Sequence, residues 1–238
     1  TTGIQNTLIG GLAGDAITTA NNNTAVGMDA LSATTTGSSN VAISINALGS
    51  NTTGGSNIAI GQDSLYANTT ASNNTAVGHN AMVANTTGLY NTASGAYALQ
   101  ANTTANSNTA MGYLALAANT TGHQNTALGG EAAASVTTGL YNTILGYKAG
   151  VYTTGLTTGN SNTLVGSYSR STTVGSLAAN VFGHDVAGAA EYTTIGYGAA
   201  DIRAAHGISS WAAVSDERYK KDIVDSTAGL SFINALQP

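Results

Sequence analysis

Tyrosine side chains are the groups in this chain whose type and spacing best suit recognition chemistry. They occupy positions of an internal repeat at which the residue type varies from copy to copy, and variable positions are expected on the surface. Exposed aromatic rings can stack on sugars or dock a protein receptor, and packing between chains is the other interpretation. The tyrosines at such positions are Tyr66, Tyr90, Tyr97, Tyr113, Tyr141 and Tyr147. We predict receptor binding for Tyr66, Tyr90, Tyr97, Tyr113 and Tyr141.

Metal ligands and catalytic carboxylates show no usable pattern. The four histidines, His79, His123, His184 and His206, lack metal-ligand spacing, and Asp and Glu recur at no repeat position. Polysaccharide-cleaving enzymes need clustered carboxylates, and a chain without cysteine has no thiolate ligands or disulfides. We therefore predict no metal site, no cofactor and no activity on an external substrate.

The composition excludes several classes of partner. Only 7% of the residues are charged, against about 25% in typical soluble domains. No basic stripe is present, so we expect no binding to nucleic acid. No apolar run reaches the length of a membrane span, so we expect no membrane insertion. The first residue is Thr1 rather than Met, which suggests a piece of a longer protein.

A 17-residue repeat must position these side chains. Asn recurs with this period from Asn6 to Asn142, within the consensus N-T-A-V-G-x-x-A-L-x-A-N-T-T-G-x-x. The period suits neither a coiled coil nor helix pairs. Two short segments, each ended by turn residues, predict two strands and two turns per coil. We predict an all-β fold, a parallel β-solenoid or β-roll of 17-residue coils, in which the recurrent Asn forms either an amide ladder or a turn.

The period also predicts how the chain is divided. Residues 1–160 carry the regular repeats and residues 161–200 carry degenerate ones, with three extra residues bulging out between Thr153 and Gly159. Charged residues concentrate from there on, and we predict a linker over residues 201–214. Residues 215–238 form a separate segment with an amphipathic pattern that leads into a helix.

The repeat carries two large apolar residues per coil, at its fourth and ninth positions. If fully buried, they contribute roughly 4–6 kcal/mol per coil, whereas ordering each backbone residue costs about 1–2 kcal/mol. We therefore predict an oligomer, with the flat Ala and Thr ranks as contact surfaces. A monomeric solenoid with a dense internal core is the alternative. The two ranks are Val26, Ile43, Ile60, Val77, Met111, Leu128 and Leu145, and Leu31, Leu48, Leu65, Met82, Leu99 and Leu116.

The repeat also resembles a known family. Segments such as Asn-Thr-Ala-Val-Gly at residues 74–78 and Asn-Ile-Ala-Ile-Gly at residues 57–61 resemble the head repeats of YadA-like trimeric autotransporter adhesins. The 17-residue form is similar to repeats in phage tail fibres, and the likeness covers about residues 1–200. It implies left-handed β-rolls with three chains to a head. The implied partners are two further copies of the chain, a host cell-surface receptor (a glycan among the candidates) and other tail or fibre proteins.

A second resemblance lies in the last segment. The sequence Ser-Asp-Glu-Arg-Tyr-Lys-Lys-Asp-Ile at residues 215–223 resembles the opening of the endosialidase-type intramolecular chaperone domain. That domain assists trimerisation and then releases itself by autoproteolysis. The resemblance implies Ser215 as nucleophile and Lys220 as base. A lysine can activate a hydroxyl only where burial or nearby cations lower its pKa, and Arg218 and Lys221 are suitable neighbours. The chain stops at Pro238, too early for the family's helical body, so we expect a truncated domain. A charged linker leading into a helix is the alternative.

Together these features predict a structural and adhesive fibre protein, a phage tail fibre that mediates attachment to the host surface. Its expected location is extracellular, on the virion. Two alternatives remain. One is a bacterial trimeric autotransporter adhesin at the cell surface. The other is an ice-binding β-solenoid, because Asn51, Thr53 and their equivalents could form one flat face.

Overall fold

The computed structural model describes residues 2–151, 156–207 and 212–214, and every regular element within these ranges is a β-strand. Most strands have three residues. They are β1 (Thr7–Ile9), β2 (Thr24–Val26), β3 (Val41–Ile43), β4 (Ile58–Ile60), β5 (Thr75–Val77), β6 (Thr92–Ser94), β7 (Thr109–Met111), β8 (Thr126–Leu128), β9 (Thr143–Leu145), β10 (Thr163–Val165), β11 (Arg170–Ser171), β12 (Asn180–His184), β13 (Ala187–Gly188), β14 (Tyr192–Tyr197), β15 (Ala200–Ala205) and β16 (Ala212–Val214).

One long parallel sheet runs the length of the molecule. From β1 to β9 each strand pairs in register with the strand one 17-residue coil further on, as Thr24 does with Val41. The interval is longer between Thr143 of β9 and its partner in β10, and it is shorter between Asn180 of β12 and its partner in β14. The predicted all-β parallel solenoid is therefore confirmed. Residues 152–155, which include part of the predicted three-residue bulge, lie outside the described residues.

The chain changes direction after β14. Strands β14, β15 and β16 pair antiparallel at the end of the long sheet, while β11 and β13 form a small second parallel sheet. The segment 201–214, which the composition suggested as a linker, thus contributes two strands to the sheet. The expected helix over residues 215–238 lies outside the described residues.

Each regular coil holds one strand, and the prediction of two strands per coil is wrong. Counting from the recurrent Asn as the first position, the strand covers positions two to four, and the Ala-Leu segment that follows is built of turns. Leu99, at the ninth position, has a φ of 51°. A residue in this left-handed region cannot continue a strand. The burial of the Leu side chain offsets the strain of that backbone conformation.

The core lies inside the single chain and is narrow. In the middle coils the strand turns a small alanine inward, as at Ala93, and the ninth position supplies a large residue such as Leu99; both are fully buried. In the coil of β9 the sizes are exchanged. There Ile144 points inward and Gly150 holds the ninth position, where a Cβ would lie 3.2 Å from the Ile144 Cδ1. In these coils one large and one small residue together fill the interior.

Two ladders of buried asparagines hold the coils together. Asn40, at the first position, donates from Nδ2 to the Gly54 carbonyl at 2.9 Å, and its Oδ1 accepts the Asn57 backbone N–H at 2.9 Å. The first-position asparagines do not adopt a positive φ. The interpretation of these residues as an amide ladder is therefore confirmed, and the interpretation as turn residues is not. At the twelfth position Asn102 donates to the Asn85 Oδ1 at 2.7 Å. Such amides satisfy buried polar groups that would otherwise destabilise a coil this small.

Candidate functional site

A rank of apolar side chains lines the outside of the solenoid. It is formed by the fourth position, which is the last residue of each regular strand, and Ser94 in β6 interrupts it. We call these residues the apolar rank: Ile9, Val26, Ile43, Ile60, Val77, Met111, Leu128, Leu145, Val165, Phe182 and Ile195. Consecutive members lie on neighbouring strands of a parallel sheet, about 4.8 Å apart.

The apolar rank is exposed because the residue before it fills the coil. Side chains alternate between the faces of a strand, so an inward third position turns the second and fourth positions outward. Leu128 keeps 48% of its surface exposed and Met111 keeps 44%, whereas Leu99 in the core has none. Parallel sheets are normally covered on both faces. The outer face of this sheet is uncovered in the single chain, and its apolar side chains meet water.

The expected roles of the apolar and alanine ranks need correction. The ninth-position rank is buried within its own chain, but the fourth-position rank is largely outside it. The alanines at the third and eighth positions, such as Ala93 and Ala98, are completely buried. They cannot form contact surfaces for neighbouring chains, so that prediction is wrong for the alanines at these two positions. The physical reason is the narrow coil, which leaves no room for larger inward residues beside the ninth-position leucine.

A second exposed column consists of aromatic rings at the corner that follows each strand. Its members stand at the sixth and seventh positions of their coils. We call them the aromatic column; its N-terminal group is His79, Tyr97 and Tyr113, and its C-terminal group is Tyr147, Tyr168, His184 and Tyr197.

Neighbouring rings of the aromatic column contact one another. In the N-terminal group the ring centroids of His79 and Tyr97 are 5.3 Å apart, and those of Tyr97 and Tyr113 are 6.2 Å apart, both edge-to-face. These separations and angles are those preferred by aromatic pairs. Each group is therefore a preorganised row of rings whose outer parts remain in contact with solvent.

The C-terminal group continues the same arrangement. Tyr147 and Tyr168 meet edge-to-face at 5.6 Å, as do Tyr168 and His184 at 5.8 Å. The row ends in a stacked pair, His184 and Tyr197, with centroids 5.3 Å apart and planes 23° from parallel. Tyr197 is 71% exposed. This ring at the end of the row therefore offers a wide apolar face to a ligand.

The corner itself is fixed by glycine at the fifth position. Gly146 has a φ of 131°, and a Cβ there would lie 2.6 Å from the Gly166 carbonyl carbon of the next coil. The seventh residue then adopts a left-handed conformation, with a φ of 60° at Tyr97 and 59° at Tyr168. Tight backbone stacking at this corner brings side chains of successive coils into contact, which is how residues about one coil apart in the sequence become ring neighbours.

A charged pair separates the two groups of rings. Gly130 holds the sixth position between them, and the Glu131 carboxylate lies 3.5 Å from the Lys148 ammonium. That ammonium also stands 5.3 Å from the centre of the Tyr147 ring. The hydrogen bond with Tyr147 and the charge of Glu131 raise the pKa of Lys148 above its ordinary value. Lys148 therefore stays protonated beside the aromatic ring at neutral pH.

A second ion pair lies beside the C-terminal group. The Arg170 guanidinium contacts the Asp185 carboxylate and also donates to the Asp185 carbonyl oxygen at 3.2 Å. Each basic side chain next to the rings thus has an acidic partner. The surface around the C-terminal group of the aromatic column is consequently close to electrically neutral.

The structure separates the tyrosines proposed for receptor binding. Tyr97 and Tyr113 belong to the aromatic column. Tyr66 stands at the tenth position and covers Gly49 of the preceding coil. Tyr90 and Tyr141 share the seventeenth position, three coils apart, and are well exposed. The five therefore occupy three different edges of the solenoid and form no common site.

The column also contains rings that the sequence did not single out for binding. The histidine spacing indicated no metal site and carried no binding prediction for His79 and His184, and Tyr168 and Tyr197 lie where the repeat degenerates. The spacing of these residues in the sequence, compared with the coil length, is the signal that could have identified them as neighbours. The interval from His79 to Tyr97 is one coil with a shift of one position. Such intervals predict adjacent corners once the register is known.

Ser215 and Lys220 lie outside the described residues. Within residues 2–151 and 156–207, no three His, Asp or Glu side chains gather in a way that could bind a metal ion. Over the same ranges, no helix has the length and apolar character needed to cross a membrane.

Comparison with known proteins gives no family for the chain. Searches against protein families, curated proteins and solved structures found no match. The features of the chain that bear on its function are therefore the apolar rank, the aromatic column and the repeat itself.

Proposed function

We propose that this chain is a structural and adhesive segment of a homotrimeric fibre, in which the apolar rank packs around the three-chain axis. The observation that carries the proposal is the uncovered outer face of a long parallel sheet. Contiguous apolar surface of this kind marks a site of association. Burial of each large side chain of the rank contributes up to about 1.5–3 kcal/mol.

A second copy of the chain is the partner that fits this face. The apolar rank repeats once per coil, about every 4.8 Å, in almost every coil. Only a surface with the same repeat can match it coil by coil along its whole length, and other copies of this chain have that surface. Three copies related by a threefold axis close the assembly without leaving a rank exposed. The resemblance of the repeat to trimeric adhesin heads supports three chains over two.

The proposed biological setting is a phage tail fibre that attaches the virion to its host. The Asn-Thr-Ala-Val-Gly repeats support a trimeric attachment protein, and the segment that begins at Ser215 supports a phage protein over a bacterial adhesin. The ice-binding alternative loses support, because Asn51 and its equivalents are buried. Without those side chains, the suggested Asn-and-Thr pattern forms no flat exposed face.

Autoproteolysis at Ser215 belongs to this proposal. The Lys220 amine would take the proton of the Ser215 hydroxyl as the hydroxyl oxygen attacks the Val214 carbonyl carbon. The C–N bond between Val214 and Ser215 would then break, with the proton passing to the released Ser215 amine. Water would hydrolyse the resulting ester, which leaves a Val214 carboxylate and restores the Ser215 hydroxyl.

Cleavage needs the complete C-terminal domain, so mass spectrometry of a chain extended through that domain tests it. Cleavage should yield a fragment that ends at Val214, and Ser215→Ala should leave the extended chain intact. An extended wild-type chain that keeps its full mass, or unaltered cleavage of Ser215→Ala, would refute the assignment.

A cysteine cross-link tests the trimer axis, since the chain has no native cysteine. Val77→Cys places a thiol in the apolar rank, and Thr70→Cys places one on an exposed turn at the fourteenth position. With a short bismaleimide, Val77→Cys should yield covalent dimers at micromolar concentration, because one thiol per chain links chains in pairs. Equal cross-linking of Thr70→Cys, or none at Val77→Cys, contradicts the proposed packing.

A further inference from the structure

We propose that the aromatic column binds a neutral glycan that lies along the length of the fibre. This inference deepens the proposed function and rests on its adhesive part, because it names the surface and the chemical class of the receptor. It assigns the contact to the C-terminal group of the column, which runs from Tyr147 at one end to Tyr197 at the other, and not to the isolated tyrosines Tyr90 and Tyr141.

The geometry of the rings suits a sugar chain. Sugars expose C–H groups on one face of the ring, and aromatic faces bind such groups while tyrosine hydroxyls can hydrogen-bond at the edge. Tyr147 and His184 flank Tyr168 on successive coils. They are therefore separated by two coils, about 10 Å, which is close to the length of a disaccharide in an extended glycan. A glycan parallel to the axis can contact one ring per sugar or per two sugars.

The polar groups beside the rings indicate a neutral ligand. Lys148 is paired with Glu131, and Arg170 is paired with Asp185. Neither the cations nor the anions are in excess, so a strongly charged ligand gains no net attraction here. The same side chains still offer hydrogen-bond donors and acceptors at the margin of the rings, which is what a hydroxyl-rich neutral ligand needs.

The contrast with the apolar rank argues against a chain-to-chain role for the column. A contact between identical repeats favours the same residue type in every coil, as the apolar rank shows. The aromatic column is interrupted at Gly130 and Glu131, alternates between two positions and mixes rings with polar residues. Rings that are already held by their neighbours lose little conformational entropy when a ligand binds.

The test uses the full 238-residue chain and a panel of neutral oligosaccharides built from hexoses and N-acetylhexosamines. Binding to immobilised oligosaccharides finds the members recognised, and calorimetry measures their affinity. The double variant Tyr147→Ala/Tyr197→Ala should weaken binding by at least about tenfold. The matched control Tyr90→Ala/Tyr141→Ala removes two equally exposed tyrosines and should change affinity by less than about twofold. No binding by the wild type, or equal loss in the two variants, overturns the proposal.

Salt and mass measurements on the same samples complete the test. Raising the salt from about 0.1 M to about 1 M shortens the Debye length from ~10 Å to ~3 Å. Affinity for a neutral glycan should hardly change, and a steep fall means a charged ligand and overturns the assignment. If Tyr147→Ala/Tyr197→Ala loses its oligomeric state, the column is a contact between chains and this proposal is wrong, while the trimeric fibre stands. If the wild-type protein is a monomer and still binds the glycan through these rings, the proposal for the aromatic column is supported and only the proposed trimer is refuted.

Discussion

The apolar rank and the aromatic column lie side by side along the same solenoid but differ in regularity. The rank is set by strand residues, where the hydrogen-bonded register forces every coil to present its fourth position in the same direction. The column is set by a corner, where the backbone is equally regular but the side chains change from coil to coil. A contact between identical copies requires the first kind of surface. Recognition of a different molecule can use the second.

In the proposed fibre, this difference separates the positions that can change from those that must stay constant. Substitutions at the sixth and seventh positions alter the corner without touching the core or the strand face. Substitutions at the fourth position alter the surface that, in the proposed trimer, the other two chains must match. The apolar rank and the aromatic column should therefore respond differently to mutation.

The largest effect is expected from charge in the apolar rank. Val77→Asp combined with Leu128→Asp buries unpaired carboxylates at the proposed axis, which costs several kcal/mol at each site. Association should weaken by more than about a thousandfold, and light scattering should show monomers. Thr70→Asp with Thr121→Asp adds the same charge on an exposed turn and should leave the assembly intact. If the rank variant keeps its assembly, the rank is not the interface.

The second-largest effect is expected in the core of the solenoid, beneath the apolar rank and the aromatic column. Leu99→Gly should lower the free energy of unfolding by about 4 kcal/mol through loss of burial and a cavity. Ala93→Ile alone should cost about 1–3 kcal/mol by overpacking. Together they reproduce the pairing of Ile144 with Gly150, so the double variant should recover more than half of the summed loss in urea unfolding. Additive losses would show that the two positions do not share one volume.

A smaller effect is expected at the fifth position, which lies between the apolar rank and the aromatic column. Ser44 has a φ of 113°, where its equivalents are glycines. This region is strained for a residue with a Cβ, so Ser44→Gly should raise the free energy of unfolding by about 1 kcal/mol. The reverse change, Gly95→Ser, introduces the same strain and should lower the thermal midpoint. A neutral or destabilising Ser44→Gly would mean that the corner tolerates a side chain.

The smallest effect is expected within the aromatic column. Tyr113→Leu keeps apolar bulk but removes one ring pair, with Tyr97. Because Tyr113 is about half exposed, the change should lower the free energy of unfolding by about 0.5 kcal/mol, the lower end of the range for aromatic pairs, and leave the mass of the assembly unchanged. The check is thermal unfolding combined with light scattering. A change in mass would place the N-terminal rings between chains and remove the distinction between the two columns.

The sequence predicted the fold well, because a strict period constrains it strongly. The 17-residue recurrence of Asn sets the register of stacked coils, and the structure pairs those coils as the period requires. Local geometry was harder to predict. The Ala-Leu segment looked like a second strand because its residues suit one, but a closed coil this narrow must turn there, and Leu99 adopts a left-handed φ instead.

The candidate sites were only partly predictable. The alternation of side chains along a strand placed Ala25 on one face and Thr24 and Val26 on the other, but it does not say which face points inward. Alanine points inward because the interior of the coil is narrow. In the aromatic column, rings that touch can differ by one position between successive coils. This offset is hard to recognise in the sequence, because the residue types at the corner vary from coil to coil. Tyr97 and Tyr113 were therefore named without their partner His79.

Sedimentation equilibrium of the 238-residue chain tests the trimeric fibre most directly. The apolar rank of a single chain is uncovered, so the account predicts one species of three times the 23.6 kDa chain mass at micromolar concentration. The Val77→Asp/Leu128→Asp variant should sediment at the mass of one chain. A folded wild-type protein that sediments at 23.6 kDa contradicts the account.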